Sequence, residues 1–415
     1  MARIVPRRAR RLWAYWRAEQ RTLRQGFVAL VLSTLASFVA GLTLSHITGT
    51  LVALPGLLVL VPAAVGMRGT IFGALGSRLG TSIHAGLFEA NLRRGGILHQ
   101  NVEVAWITTL TSSLWLAAIA RVASAIVDPQ ASISIWDLVT ISVVGGAIGS
   151  VFILLVTVGL SIVSYRRGYD LDAVGTPIVT ALGDMATLPF LFAATLLVRN
   201  DIVNAVAAIV CVGATAFALA RVATTDVPAV RRIVLEMTPV ILLTPLLDIA
   251  AGALLQSRQD GLAAVPAVLI LIPPFVSQAG ALGGILSSRL SSKLQLGVIT
   301  TRGWPEIPAL VDASLVTLFG LGIFAFIGAA ALGLAHLTGL PNVPTPAELI
   351  GGTMLAGLLV LPAILFVGYE LAVITARFGL DPDDHSVPIV TSVMDLAGVA
   401  AVLAAMGVLG VAIHG

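Results

Sequence analysis

Apolar segments of 20 or more residues recur along the whole chain. Each is long enough to cross the hydrocarbon core of a bilayer as an α-helix. Of the 415 residues, 57% are hydrophobic and 11% are charged, and the mean hydropathy is +1.00. A soluble protein of this length does not need so much apolar surface for its core. The sequence therefore predicts an all-α polytopic membrane protein.

The apolar segments predict eleven transmembrane helices. The predicted spans are 27–48, 51–75, 104–127, 137–164, 176–197, 202–221, 233–256, 262–287, 311–336, 347–376 and 387–413. We expect the longer helices to be tilted or to extend beyond the bilayer.

The chain contains two related halves, displaced from each other by 211 residues. Residues 55–86 align without a gap on residues 266–297, and twelve of the 32 positions are identical. The same displacement aligns residues 168–186 on residues 379–397, with nine of 19 positions identical. Apolar bias would align leucine with leucine, but here aspartate, proline, arginine and threonine also coincide. The sequence therefore indicates an internal duplication.

The number of helices in each half determines how the halves are related. Each half has five spans, so two halves joined directly would lie inverted in the membrane. A further helix at 201–222 links them and gives both the same orientation. We therefore predict two parallel five-helix repeats, 27–200 and 233–415, related by a pseudo-two-fold axis along the membrane normal.

Positive charges are distributed unequally between the two sides of this arrangement. If the N-terminus is cytoplasmic, the tail and the inner loops hold 20 of the 24 Lys and Arg residues. Because cytoplasmic loops are enriched in these residues, we predict a cytoplasmic N-terminus and an external C-terminus. Residues 1–26 form a basic segment that we expect to be amphipathic and cytoplasmic, at the surface of the cell membrane.

One aspartate lies within the fifth span of each half, at the equivalent positions Asp184 and Asp395. Each follows, by seven residues, a proline suited to the first turn of a helix, which places it about 10 Å into the bilayer. A charged side chain near the bilayer centre costs roughly 3 kcal/mol. Thr180 and Thr391 precede the acids by one helical turn and share their helix faces. The recurrence of this costly arrangement indicates a function for the pair.

Two carboxylates that face each other repel unless a cation lies between them or they share a proton. A divalent cation would cancel both charges. Mg²⁺ prefers oxygen ligands, keeps most of its waters and typically contacts one or two carboxylates. The six His residues are scattered and the chain has one Cys, which argues against zinc and copper. These residues alone would also admit Ca²⁺, Mn²⁺, Na⁺ or protons.

The repeated motifs resemble the MgtE magnesium-channel family, and particularly its solute-carrier relatives, in which a linking helix fuses two MgtE-like five-helix units. The second helix of each half ends in GALGSRLGT or GGILSSRLSS, similar to that family's Gly-rich segment followed by Ser-Arg-Leu or Ser-Arg-Ile. The fifth helix begins with DLDAVGTPIVTALGD or DPDDHSVPIVTSVMD. The resemblance implies a pore on the pseudo-two-fold axis, where Asp184 and Asp395 contact hydrated Mg²⁺.

The resemblance also implies that the second and fifth helices of each half line the pore. The further pore-lining candidates are Thr180, Thr391, Gly69, Gly73, Gly280 and Gly284. For the glycines, tight helix packing is the alternative. Five acids stand at the cytoplasmic mouth and could concentrate cations or cap helices. They are Asp170, Asp172, Asp381, Asp383 and Asp384.

Asp248, within the seventh span, breaks the symmetry of the halves because the equivalent residue is Ser37. It is a candidate for a second ion site or a proton-coupling group. The structural alternative is an ion pair with Arg68, the lone arginine inside a span.

Together these features predict a protein that transports Mg²⁺ or another divalent cation, as a monomer that imitates an MgtE dimer. We expect no enzymatic activity, organic cofactor or nucleic-acid partner, since the sequence has no nucleotide-binding loop, nucleophile constellation or redox motif. One alternative is a Na⁺- or H⁺-coupled carrier of another divalent cation or substrate. Another is a membrane scaffold without transport activity, whose buried acids are structural.

Overall fold

A computed structural model describes residues 20–54, 56–84, 86–127, 133–167, 171–300, 305–380 and 382–411. These residues form helices and short connections, and no β-strand occurs among them. The helices are α1 Gln20–His46, α2 Thr48–Ala53, α3 Leu57–His84, α4 Ile97–Val127, α5 Ile135–Arg167, α6 Leu171–Val198, α7 Asp201–Thr224, α8 Pro228–Gln256, α9 Gln259–Ala264, α10 Pro266–Gln295, α11 Ile307–Leu337, α12 Pro346–Phe378 and α13 Pro382–Val408. The described part of the predicted N-terminal segment begins at residue 20.

Eleven of these helices are long and apolar enough to cross a membrane, which confirms the predicted all-α polytopic fold. The predicted second and eighth spans, 51–75 and 262–287, begin too early. In the structure the short helices α2 and α9 come first, and the long helices α3 and α10 begin afterwards. In the first half the chain turns between α2 and α3 at Gly56, which has a φ of 101°. Glycine adopts this conformation readily, whereas residues with a Cβ rarely do. In the second half Pro266 begins α10, a position where its missing N–H is harmless.

Local sequence signals explain where other helices begin and end. The Thr345 side chain and Glu348 form a reciprocal capping box at the start of α12. That helix ends at Gly379, which adopts a left-handed conformation with φ of 64°. Asn200 caps α7 by accepting hydrogen bonds from the backbone N–H groups of Ile202 and Val203.

The helices pack with equivalent neighbours in the two halves. The first half consists of α1, α3, α4, α5 and α6, and the second half consists of α8, α10, α11, α12 and α13. In each half the fifth helix packs on the first, second and fourth helices of its own half. The first helix crosses to the other half: α1 packs on α10, and α8 packs on α3. The two halves therefore interlock through their first helices.

Glycine allows these crossings between the halves. A Cβ atom placed on Gly41 of α1 would lie 2.1 Å from the carbonyl oxygen of Ile270. At the equivalent crossing, a Cβ on Gly252 of α8 would lie 2.2 Å from the carbonyl oxygen of Val59. Because any side chain would collide with backbone, both crossings require glycine.

The linking helix α7 packs mainly against α4 and α5 of the first half. Asn204 of α7 donates from Nδ2 to Asp137 Oδ1 (2.6 Å) and accepts at Oδ1 from Thr140 Oγ1 (2.6 Å). Toward the other end of α7, Arg221 forms an ion pair with Glu103 (3.1 Å). The linker is thereby fastened to one half, and most of its remaining surface is exposed and apolar, as expected for contact with lipid.

Candidate ion-binding site

The two predicted aspartates are both buried within the helix bundle. Asp184 lies on α6 and Asp395 on α13, at equivalent points of the two halves. Ser277 of α10 donates a hydrogen bond to Asp184, and α10 also packs on α13, which carries Asp395. The structure therefore buries both of the acids that the duplication placed in matching positions.

Asp184 is surrounded by hydroxyl groups. Ser37 of α1 donates from Oγ to Asp184 Oδ2 at 2.8 Å. Ser277 of α10, from the other half, donates to the same oxygen at 2.5 Å. Hydrogen bonds from two hydroxyl donors stabilise the charged form of a buried carboxylate. The crossing of α1 over α10 therefore supplies both donors.

Asp395 has a different environment, although the helices around it, α3 and α8, are equivalent to the helices α10 and α1 around Asp184. A Cβ placed on Gly66 of α3 would lie 3.2 Å from Asp395 Oδ2 and 3.0 Å from Asp248 Oδ2. The two carboxylate oxygens are therefore at most 6.2 Å apart, the sum of these distances. In the second half an acid faces the aspartate where the first half has a serine hydroxyl.

Asp248 is only 1% exposed, and neither of its carboxylate oxygens accepts a hydrogen bond of good geometry, although the Ser392 hydroxyl lies nearby. Two negative charges no more than 6.2 Å apart repel by about 3 kcal/mol or more if the effective dielectric constant is about 20. A buried unpaired charge adds a desolvation cost of several kcal/mol. A proton or a cation would relieve both costs.

The suggested ion pair between Asp248 and Arg68 is absent from the described part of the chain, so that interpretation is wrong. Arg68 Nη1 instead donates to the carbonyl oxygen of Ala64, one turn earlier on α3. Its other terminal nitrogen points toward α5, where a Cβ on Gly146 would lie 2.4 Å from it. Because Gly146 has no side chain, the guanidinium fits between α3 and α5, away from the acids.

In the second half, apolar side chains fill the space equivalent to the one that the Arg68 guanidinium occupies between α3 and α5. The equivalent of Arg68 is Ala279, and the equivalent of Ser113, which lies beside Gly146, is Phe324. Phe324 stacks on Phe275 with ring centroids 4.7 Å apart. The Arg68 guanidinium thus occupies the space that the Phe324 ring fills in the other half.

The acids do not form a compact cage for a bare metal ion. Within the described residues, no group of three His, Cys, Asp or Glu side chains is arranged to hold a metal. Mg²⁺ loses its waters reluctantly and is commonly held through them. An ion beside these acids would therefore keep its waters.

The other predicted pore-lining residues have varied surroundings. Thr391 donates its hydroxyl to the backbone of its own helix, at Val387 (3.0 Å) and Pro388 (2.8 Å). A Cβ on Gly280 would lie 3.0 Å from the Thr391 methyl group. These two residues therefore pack α10 tightly against α13.

A Cβ on Gly284 would make ordinary contact with Val387 at 3.5 Å, whereas a Cβ on Gly73 would meet open space. Gly69 lies on α3, close to Gly183 of α6. Several further predicted positions lie outside the described residues or have side chains outside the described part. They are Asp170, Asp172, Thr180, Asp381, Asp383 and Asp384.

Sequence reasoning missed a polar contact that each half makes between its second and third helices. Arg78 Nε donates to Asn101 Oδ1 at 2.9 Å. In the second half, Arg289 Nε donates to Asp312 Oδ1 at 3.0 Å, and Lys293 binds the other oxygen at 2.6 Å. The sequence offered two signals for this contact. The Ser-Arg-Leu motif repeats in both halves, and the 211-residue displacement also aligns Asn101 with Asp312.

The fold and the buried acids define a duplicated helical membrane protein with a pair of equivalent carboxylates at the junction of its halves. The profile of the MgtE family, described as divalent cation transporters, matches the chain twice, over residues 61–194 and 272–405. The two matches begin 211 residues apart, the displacement of the internal repeat. The chain therefore belongs to the MgtE family and contains two fused MgtE-like units.

Curated relatives support the same conclusion. The chain is 24% identical to solute carrier family 41 member 3 of Rattus norvegicus over 397 residues, covering 91% of this chain and 85% of the relative. It is 26% identical to solute carrier family 41 member 2 of Xenopus laevis over 369 residues, covering 82% of this chain and 63% of the relative. No solved structure matches the chain.

Proposed function

We propose that the protein carries Mg²⁺ across the cell membrane along a path between its two halves, where Asp184 and Asp395 contact the hydrated ion. The observation that carries this proposal is the burial of two equivalent acids at the crossings of the halves. Membership of a divalent cation transporter family gives the class of cargo. Two carboxylates match the charge of one divalent ion.

The choice of Mg²⁺ rests on the ligand chemistry of the site. The groups around Asp184 are hydroxyl and carboxylate oxygens, which are hard ligands. No three acids within the described ranges are arranged to hold a bare metal, which favours an ion that retains its waters, as Mg²⁺ does. Ca²⁺ and Mn²⁺ use the same ligand types and are the competitors to measure.

We propose a monomer as the functional unit, because one chain already contains both halves of the site. The bias of positive charge supports a cytoplasmic N-terminus. With that orientation, an inside-negative potential of 100 mV would favour inward movement of a divalent ion by about 4.6 kcal/mol, from about 2.3 kcal/mol per charge.

Flux into proteoliposomes tests this proposal. The purified protein is reconstituted with a Mg²⁺-sensitive dye inside, and uptake is followed under an imposed inside-negative potential. The double variant Asp184→Asn/Asp395→Asn keeps the size of both side chains and removes their charges. We expect uptake by the wild type and loss of at least nine-tenths of it in the variant.

Two controls separate loss of transport from loss of folding. The variant must elute as a monodisperse species from size-exclusion chromatography and have the helical circular dichroism of the wild type. Wild-type flux that persists unchanged in the folded variant would contradict a role for the paired acids. A folded wild type that carries no Mg²⁺ under any gradient would contradict Mg²⁺ as the cargo.

A further inference from the structure

The residues that contact Asp184 differ from the residues at the equivalent positions around Asp395. In the first half, Ser37 and Ser277 donate hydrogen bonds to Asp184. At the equivalent positions around Asp395 the chain has Asp248 and Gly66, which offer no hydroxyl group. The duplicated site is therefore asymmetric, with two serines on one side and an acid and a glycine on the other.

The glycine and the acid depend on each other sterically. A Cβ on Gly66 would lie 3.0 Å from Asp248 Oδ2 and 3.2 Å from Asp395 Oδ2. Both distances are shorter than an ordinary van der Waals contact, so a serine at position 66 would crowd the two carboxylates. Glycine at this position leaves room for Asp248 and Asp395 to face each other.

Among the residues that the structure describes, no cationic side chain pairs with Asp248 to explain its burial. Both carboxylate oxygens are buried without a hydrogen bond of good geometry, and the groups near enough to bond them are the Ser392 hydroxyl and the Asp395 carboxyl. The acid that faces it is Asp395, and Arg68 on the adjoining helix α3 is directed toward Gly146. Such a group is expected to be neutralised by a proton or by a bound cation.

We propose that Asp248 is a third carboxylate of the ion site, and that the hydrated divalent cation binds more tightly between Asp248 and Asp395 than beside Asp184. This inference rests on the proposed function and adds the position of the ion within the site. Asp184 already has two hydroxyl donors, whereas the pair Asp248 and Asp395 gains its first positive partner when a cation arrives. The halves consequently bind the cargo unequally, although their helices are equivalent.

The chain itself provides the test variant. The double variant Asp248→Ser/Gly66→Ser rebuilds around Asp395 the two serines that surround Asp184, so its local packing already exists in this fold. Removal of an exposed acid, Asp260→Ser at the start of α9, controls for the change in net charge. Purified proteins in detergent are titrated with Mn²⁺, which gives an electron paramagnetic resonance signal, and Mg²⁺ is added as a competitor.

We expect the rebuilt variant to require at least tenfold more Mn²⁺ for half-saturation. The same variant, without metal, should unfold at a higher temperature than the wild type, because it lacks an unpartnered buried carboxylate. Asp260→Ser should match the wild type in both measurements. A variant that merely misfolds would also bind Mn²⁺ more weakly, but its unfolding temperature without metal would fall rather than rise.

An unchanged half-saturation concentration in the folded rebuilt variant would overturn the inference while leaving the proposed function intact. Absence of Mn²⁺ binding by the wild type, together with unimpaired Mg²⁺ flux in Asp184→Asn/Asp395→Asn, would overturn both. If the rebuilt variant fails to fold, the near-isosteric Asp248→Asn is titrated in its place. Its half-saturation concentration should also rise at least tenfold, and an unchanged value refutes the inference.

Discussion

Replacing Gly252 with alanine perturbs the crossing that positions Asp248. The added Cβ would lie 2.2 Å from the carbonyl oxygen of Val59, so α8 and α3 must separate by roughly 1 Å to reach ordinary contact. Overpacking of this kind typically costs about 1–3 kcal/mol. Gly252 follows Asp248 by one helical turn, so the same movement displaces the carboxylate from Asp395. We therefore expect lower stability and weaker cation binding from a single methyl group.

Unfolding of the detergent-solubilised protein, with and without Mg²⁺, measures both effects. Gly252→Ala should lower the free energy of unfolding by about 1–3 kcal/mol, and more Mg²⁺ should be needed for half-maximal protection. The matched control is Gly159→Ala on α5, where the added Cβ meets no atom within 4 Å. Alanine there should leave stability unchanged or raise it slightly, because it is the better helix former. If Gly252→Ala behaves like Gly159→Ala, the reasoning about the close crossing is refuted.

Three further changes test other contacts. Ser277→Ala removes one donor to the first-half aspartate and should cost about 1.5–3 kcal/mol of stability, measured by urea or thermal unfolding with serine-to-alanine changes at lipid-facing sites as controls. Asp312→Ala should cost more stability than Asn101→Ala, because it removes the carboxylate that two half-buried cations share. Asn101→Ala at the equivalent position removes one hydrogen-bond acceptor and should cost about 1–3 kcal/mol. Equal losses would contradict this difference. Arg68→Ala should lower the stability of the protein because it leaves a cavity. Adding Ser113→Phe should recover part of that loss, because the other half fills the equivalent space with a phenylalanine. If the two changes in stability simply add, the cavity is not filled and this expectation is wrong.

The fold was predictable because apolar length and the repeat are properties of the sequence itself. Eleven spans follow from hydropathy, and the displacement of 211 residues aligns the helices of one half with those of the other. The bounds of α3 and α10 were less predictable, because the preceding short helices are also apolar. There the break depends on one glycine conformation and one proline, which hydropathy does not register.

The candidate site was predictable only in part. The two aspartates are visible because each is a charged residue inside an apolar span. Their partners come from helices that are distant in sequence: Ser37 and Ser277 lie 147 and 93 residues from Asp184. The alignment reveals that Asp248 replaces a serine, but the crossing of the first helices determines that this acid meets Asp395. Arg68 shows the opposite error, since two opposite charges within the spans suggested an ion pair, but the guanidinium is directed toward Ala64 and Gly146.

The central claim is that one hydrated divalent ion lies between the two halves, beside the buried acids. Anomalous X-ray scattering from crystals grown with Mn²⁺ locates such an ion directly. We predict a single anomalous peak within water-mediated reach of Asp184, Asp248 and Asp395, and its loss in crystals of Asp184→Asn/Asp395→Asn. A peak elsewhere in the molecule, with none between the halves in the wild type, would contradict the account.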